Sequence, residues 1–202
     1  MIEKLSRLLS FPAAYRLFSR LVSGNVWKVY MTEYVKPAPG EKVLDIGCGP
    51  GDVLNHLPHL SYTGVDISHE YIEAARKRFA ERGRFLCSDV GLVTLEREYG
   101  TFDLAIATGV LHHLDDERAA KLLELARLAL TPGGRFISYD GCYVPEQSKI
   151  ARYLLSKDRG QFVRPRDEYL RLAAASFTHV EPHVRHDLLR IPYTHLIMRC
   201  SN

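Results

Sequence analysis

The sequence predicts an α/β fold, a doubly wound and mostly parallel sheet with helices on both faces. Three features carry that expectation. Beyond residue 40, short apolar runs alternate with stretches of helical periodicity, the pattern of a parallel sheet whose crossovers are helices. The first run, Val43-Leu44-Asp45-Ile46, breaks into glycines at the alternate positions 47, 49 and 51. Three successive predicted strands also bring an acid to this region: Asp45, Asp66 and Asp89.

In chain order, Pro12 stands near the first turn of a helix that sets Ala14, Leu17, Phe18 and Leu21 against Arg16 and Arg20. Such a basic amphipathic helix can lie on an anionic membrane, but a lid packed over the cleft is the preferred reading. In a second helix Trp27, Tyr30 and Tyr34 recur at i, i+3 and i+7, spacing that suits a core better than an aromatic cage. Strands are predicted near 42–47, 61–66, 84–88, 102–107 and 134–140, with helices near 52–57, 69–81 and 116–130. The last helix is the clearest. Asp115 or Asp116 caps it, acids fill its first turn, and Ala119, Leu122, Leu123, Ala126, Ala129 and Leu130 form one apolar stripe. Thr131-Pro132-Gly133-Gly134 then stops it. The connection 90–101 is short for a full helix. The tail reads as helix 166–175 and strands 177–185 and 191–200, joined through Leu188 to Arg190 as an antiparallel hairpin.

Composition narrows the class. A chain of 202 residues, 46% hydrophobic, buries a full core as one domain without staples. Met1 to Arg7 carries charges where a signal peptide needs an apolar run, and no later segment approaches membrane-spanning length. Cys48, Cys87, Cys142 and Cys200 are far apart, with neither zinc nor iron–sulfur spacing. A cytoplasmic, reduced and metal-free protein is expected. The net charge of +3 is too small to mean nucleic acid. It is concentrated in residues 1–36 and 149–171, each with a local excess of +4. RNA binding through the second stretch lacks interleaved glycines and exposed aromatics.

Glycines at 47, 49 and 51 permit a tight turn and close approach of backbone to a ligand. A nicotinamide fingerprint needs its third glycine one residue later, where Asp52 stands. Asp45 would repel a pyrophosphate but suits a ligand carrying an ammonium and a sulfonium. Asp66 follows the loop by about 20 residues, where a doubly wound nucleotide fold places the acceptor for ribose hydroxyls. This run resembles motif I of the class I S-adenosylmethionine-dependent methyltransferases. Phe102 to Leu114, with its Leu111-His112-His113-Leu114, and the Pro132-Gly133-Gly134 turn look like small-molecule members of that family.

The resemblance implies a seven-stranded sheet of order 3-2-1-4-5-7-6 with its last strand antiparallel. It implies S-adenosylmethionine as cofactor, held by Asp45, Gly47, Cys48, Gly49 and Gly51. Asp66 would take the ribose diol, and Ile67 would lie on one adenine face. Asp89 would accept from the adenine amino group, and the Val90 amide would donate to the ring. Thr108 and Gly109 would border the reactive side. It also implies one methyltransferase domain over 1–202. That domain divides into an N-terminal helical lid (1–36), a cofactor-binding core (40–140), an insert capping the substrate (141–165) and a C-terminal helix and hairpin (166–202).

Methyl transfer is an in-line displacement in which positioning alone supplies roughly 7–11 kcal/mol. A base is needed only for a hydroxyl or a protonated amine. His112, His113 and Asp140 are the candidate catalytic groups. The histidines could instead pack the loop and bond backbone, and Asp140 could cap the turn at Gly141. The Asn/Asp-Pro-Pro-Tyr/Phe run of base and amide methylases is replaced by Ala107-Thr108-Gly109-Val110. The insert's Tyr143, Gln147, Arg159 and Arg164, with Tyr193 and His195 on one face of the last strand, are the candidate substrate contacts. The expected reaction is methyl transfer to a small or lipid-linked, anionic metabolite, oxygen being the favoured acceptor. The alternative is a non-catalytic partner or sensor that binds the same cofactor.

Overall fold

A computed structural model describes residues 24–89, 95–158 and 160–202. The lid helix around Pro12, Val90 and Arg159 lie outside them. The chain enters through α1 (Val26–Val29), which widens into a π turn at Tyr30–Val35 closed by the Lys36 amide on Met31 O. The alternation then follows as β1 (Lys42–Ile46), β2 (Ser61–Asp66), α2 (His69–Phe79), β3 (Arg84–Cys87), β4 (Phe102–Thr108), α3 (Asp116–Ala129) and β5 (Leu130–Tyr143). The rest is α4 (Lys149–Leu155), the two-residue β6 (Arg164–Pro165), α5 (Arg166–Ala174), β7 (His179–Arg185) and β8 (His195–Ser201).

The sheet runs β3-β2-β1-β4-β5-β8-β7, with β6 as a short parallel pair on β5. The first five strands are parallel, and β8 runs antiparallel between β5 and β7. This is the order expected from the resemblance. Side chains alternate across each strand, so each strand feeds two cores. Leu44, Ile46, Ala105, Phe136 and Met198 meet the stripe of α3 together with Tyr169 and Phe177. Val43, Leu104, Ile106, Ile137 and Ile197 meet Tyr30, Tyr34, Leu54, Ile72 and Ala75. Both faces are covered, which is why these strands read as unbroken apolar runs. A fully buried leucine such as Leu122 contributes roughly 1.5–3 kcal/mol to that core.

Three elements differ from expectation. The predicted helix 52–57 is a single 3₁₀ turn, Asp52–Asn55. Arg82 donates to the carbonyls of Leu54, Leu57 and Pro58, taking the acceptors a longer helix would use. β5 begins at Leu130, ahead of the Pro-Gly-Gly turn. Leu130 pairs with Phe102 and Arg135 with Leu104, so the four residues between form a bulge rather than the stop of α3. β8 begins at His195, not Ile191, because Pro192 has no amide to give a ladder. Within the connection 90–101, the described residues include a 3₁₀ turn at Glu96–Glu98. No helix among the described residues is long and apolar enough to cross a membrane.

Candidate active site

The glycine loop is seated by backbone. The amides of Gly47 and Cys48 both donate to Val65 O, at 2.7 and 3.0 Å. A Cβ on Gly47, at φ 77°, would stand 2.4 Å from Cγ2 of Val110, so the loop meets the turn after β4 only across a glycine. Gly49, at φ 52°, faces open space, with nothing within 4 Å of where its Cβ would be. Asp66 holds that open stretch in place. Its Oδ2 accepts from the Gly49 amide and its Oδ1 from the Ser68 amide, both at 2.8 Å. Each oxygen retains a further lone pair for a ligand hydroxyl.

Around the cradle, Ile67 is 66% exposed, an apolar surface with no core to fill. Asp89 places Oδ2 3.8 Å from Nη2 of Arg118. Asp45 is buried beneath the loop, where its Oδ2 accepts from the Tyr62 hydroxyl at 2.6 Å. Burial pushes its carboxyl up to about 7. The Tyr62 bond opposes that shift and the charge of Asp66 adds to it. The Cys48 thiol, also buried, is pushed up by the same desolvation. An open positive-φ loop, a carboxylate with spare lone pairs and an exposed aliphatic side chain fit an adenosyl ligand.

At the carboxyl ends of β4 and β5 stands the second group. Thr108 donates to the Tyr30 hydroxyl at 3.4 Å, and the Gly109 amide donates to Tyr139 O at 2.7 Å. His112 is buried, and its Nδ1 lies 2.8 Å from Asp140 Oδ1, which also accepts the His112 amide at 3.2 Å. Asp140 therefore grips the histidine turn rather than capping Gly141. Its Oδ2 is buried without a partner among the described residues. The Nε2 edge of His112 faces Asp158 Oδ1 at 3.5 Å. Burial lowers the imidazole's pKa, but the bond and charge of Asp140, with the charge of Asp158, outweigh it and hold the group above its ordinary value. His113 is exposed, its ring centroid 4.2 Å from that of His112.

The predicted substrate residues divide. Tyr193 and His195 do share a region with the insert. The Tyr193 hydroxyl donates to Asp158 Oδ2 at 2.6 Å, and the His195 ring stacks on Tyr139 at 4.5 Å. Burial, with the nearby His112, pushes His195 down to about 3, so it stays neutral. Tyr143 lies under the Arg152 guanidinium. Gln147 is engaged at both ends, accepting from the Val144 amide and donating to Cys142 O and Thr194 Oγ1.

Arg164 is buried and makes five bonds, to Leu111 O, Leu114 O, Phe162 O and twice to Asp116 Oδ1. A guanidinium has five N–H groups. None is left for an anion. Sequence reading missed Asp158 and Gly160 as parts of this site. The one local sign was the Asp-x-Gly spacing, which forms a turn in which Asp158 Oδ1 accepts from the Gly160 amide at 2.8 Å.

A family profile described as a methyltransferase domain matches residues 44–136. An O-methyltransferase of Pyrenophora dematioidea is 33% identical over 130 residues, which is 59% of this chain and 47% of that protein. A malonyl-[acyl-carrier protein] O-methyltransferase of a Paenibacillus species is 35% identical over 85 residues, 38% of this chain and 31% of that one. The chain thus spans about half or less of the length of these curated relatives. A TehB-like SAM-dependent methyltransferase from Corynebacterium glutamicum shares the fold, with a TM-score of 0.68 over 98% of both chains at 16% identity. Residues 44–136 thus match a methyltransferase domain, and the glycine loop and sheet order are those of the S-adenosylmethionine-dependent methyltransferase fold.

Proposed function

We propose that this protein methylates the oxygen of a small or lipid-linked acceptor, using S-adenosylmethionine, with His112 taking the acceptor's proton. The observation that carries this reading is the double grip of Asp140 on His112 at the end of β4, across the Val110 contact from the glycine loop. The cofactor would supply a methyl on a sulfonium: the oxygen–carbon bond forms as the carbon–sulfur bond breaks, and the electron pair stays on sulfur. Asp66, Gly49 and Ile67 would hold its adenosine, with Asp89 and Val90 at the adenine edge. Asp140 fixes the Nδ1–H tautomer and leaves Nε2 to accept the hydroxyl proton. Tyr143, Tyr193 and the insert would border the acceptor. An anionic acceptor, the charge suggested by the basic insert, would have to be met by side chains other than Arg164.

The test incubates the protein with S-adenosylmethionine and a panel of hydroxy acids, carrier-linked acids and amines, reading the demethylated cofactor and a mass gain of one methyl. Transfer to an oxygen acceptor is expected. Tight cofactor binding with no turnover on any acceptor would favour the sensor reading instead. Asp66→Ala should weaken the cofactor tenfold or more, on the order of 1.5–3 kcal/mol. Unchanged calorimetric affinity in a folded variant would remove Asp66 from the site.

A further inference from the structure

The Nε2 side of His112 is built by the insert, not by the Rossmann-like core. Asp158 is seated from two directions: by the Tyr193 hydroxyl on Oδ2 at 2.6 Å and by the Gly160 amide on Oδ1 at 2.8 Å. That seat places Oδ1 3.5 Å from Nε2, on the opposite edge of the ring from Asp140. The insert then closes over the ring. The Phe162 amide donates to His112 O at 2.9 Å. A Cβ on Gly160 would stand 2.0 Å from His112 Cδ2 and 2.7 Å from His112 O, so only a glycine brings the insert this close. Arg164 continues the seam, bonding Phe162 O on the insert together with Leu111 O and Leu114 O on either side of the two histidines.

We propose that Asp158 is a positioning residue for His112: docking of the insert supplies the second carboxylate that fixes the imidazole, so the acid–base group is complete only when the insert is seated. This rests on the methyl-transfer reading for its consequence, but not for its geometry. In the transfer step the acceptor's O–H bond breaks, Nε2 takes the proton, and the imidazolium lies between two carboxyl groups until the proton leaves to solvent. The distance of 3.5 Å exceeds an ordinary hydrogen bond, so Asp158 acts on the ring by charge and leaves Nε2 able to accept. Among the described residues, the other titratable groups facing this ring are Asp140 on β5, His113 on the same turn, and, from the β8 side, Tyr193 and His195.

The test follows the His112 ring signals by NMR across pH in the protein without cofactor, for wild type, Asp158→Asn and Tyr193→Phe. In Asp158→Asn the His112 midpoint should fall by roughly a unit, as expected for losing an opposite charge at close range. Tyr193→Phe, which loosens the seat but keeps the Asp158 charge, should move it the same way by less. Turnover should drop in both, with cofactor affinity unchanged. An unmoved His112 midpoint in folded Asp158→Asn overturns the proposal. If that variant fails to fold, an unmoved midpoint in Tyr193→Phe overturns it too. No step of the titration requires turnover, so a wild type that methylates nothing would overturn the methyl-transfer reading while leaving this measurement to decide on Asp158.

Discussion

Asp140 and His112 are joined at two atoms of one residue: a single carboxylate oxygen accepts from the ring Nδ1 at 2.8 Å and from the backbone amide at 3.2 Å. The pair fixes both the rotamer of the imidazole and the turn that carries it. A side chain held at two points loses little freedom on meeting a substrate, which is how a rigid scaffold turns binding into rate.

Asp140→Asn keeps an acceptor near Nδ1 but removes the charge. Hydrogen bonds to a charged group are worth about 1.5–3 kcal/mol, so turnover should fall by roughly ten- to a hundredfold. The base works in its neutral form, so activity rises with pH through the His112 titration. Asp140 helps to hold that titration above its ordinary value. Its loss should therefore move the acid limb of the rate profile to lower pH even as the plateau drops. A pH–kcat series on both proteins checks the two effects together.

Asp45 lets a pH effect be predicted for the fold itself. Its carboxyl ionises at 3.8 in the reference state and at about 7 when buried, chiefly because burial disfavours the charge. Folding therefore takes up a proton between these values. The stability this group contributes is fully present below pH 3.8 and is lost as the pH rises through about 7. Asp45→Asn removes the ionisation while leaving an acceptor for Tyr62. Its melting temperature should match wild type in acid and exceed it above neutrality, where the underlying stability difference is on the order of a few kcal/mol. Parallel melting curves across pH would show that Asp45 does not titrate in this range.

Gly160→Ala should block the insert from seating on His112. The new Cβ would meet the ring carbon at 2.0 Å and the backbone oxygen at 2.7 Å, and backbone cannot swing aside as a flexible side chain can. Turnover should fall at least tenfold while cofactor affinity stays constant, because the glycine loop and Asp66 lie on the other side of the turn. Near-normal turnover would mean that the insert can shift without disturbing the histidine.

What could be read from the chain was local. Acids closing apolar runs at Asp66 and the stripe of α3 need only neighbouring residues, and both landed as expected. The errors arose where a distant partner overrode local pattern. The Pro-Gly-Gly turn reads as a helix stop, yet pairing of Leu130 with Phe102 draws the strand ahead of it. Asp158 reads as one charge in a basic insert, because its relation to His112 exists only after β5 and the insert fold back. Arg164 reads as a clamp for the same reason. Four of its five bonds reach some fifty residues upstream, at separations of 48 to 53. No local pattern announces that a lone arginine in a polar stretch will be buried.

Arg164→Ala separates the two roles that residue could have. If it held an anionic acceptor, melting and cofactor affinity would be unchanged and only the acceptor's KM would rise. The bonds argue otherwise. Removing the guanidinium leaves Leu111 O with only the Leu114 amide and takes the donor from the partly buried Leu114 O and Phe162 O, and an unsatisfied buried carbonyl costs about 1–3 kcal/mol. The pairing with Asp116 adds little, since that side chain is 80% exposed. A loss of about 3 kcal/mol corresponds to a melting temperature lower by roughly 6–12 °C in a chain of this size. Arg164→Lys should recover little of it, because an ammonium is a point charge and cannot span carbonyls on both sides of the histidine turn. Turnover should fall with stability, since the same carbonyls frame His112. Thermal melting, cofactor calorimetry and acceptor kinetics on the two variants give the answer: a selective rise in KM at an unchanged melting temperature would restore the anion clamp.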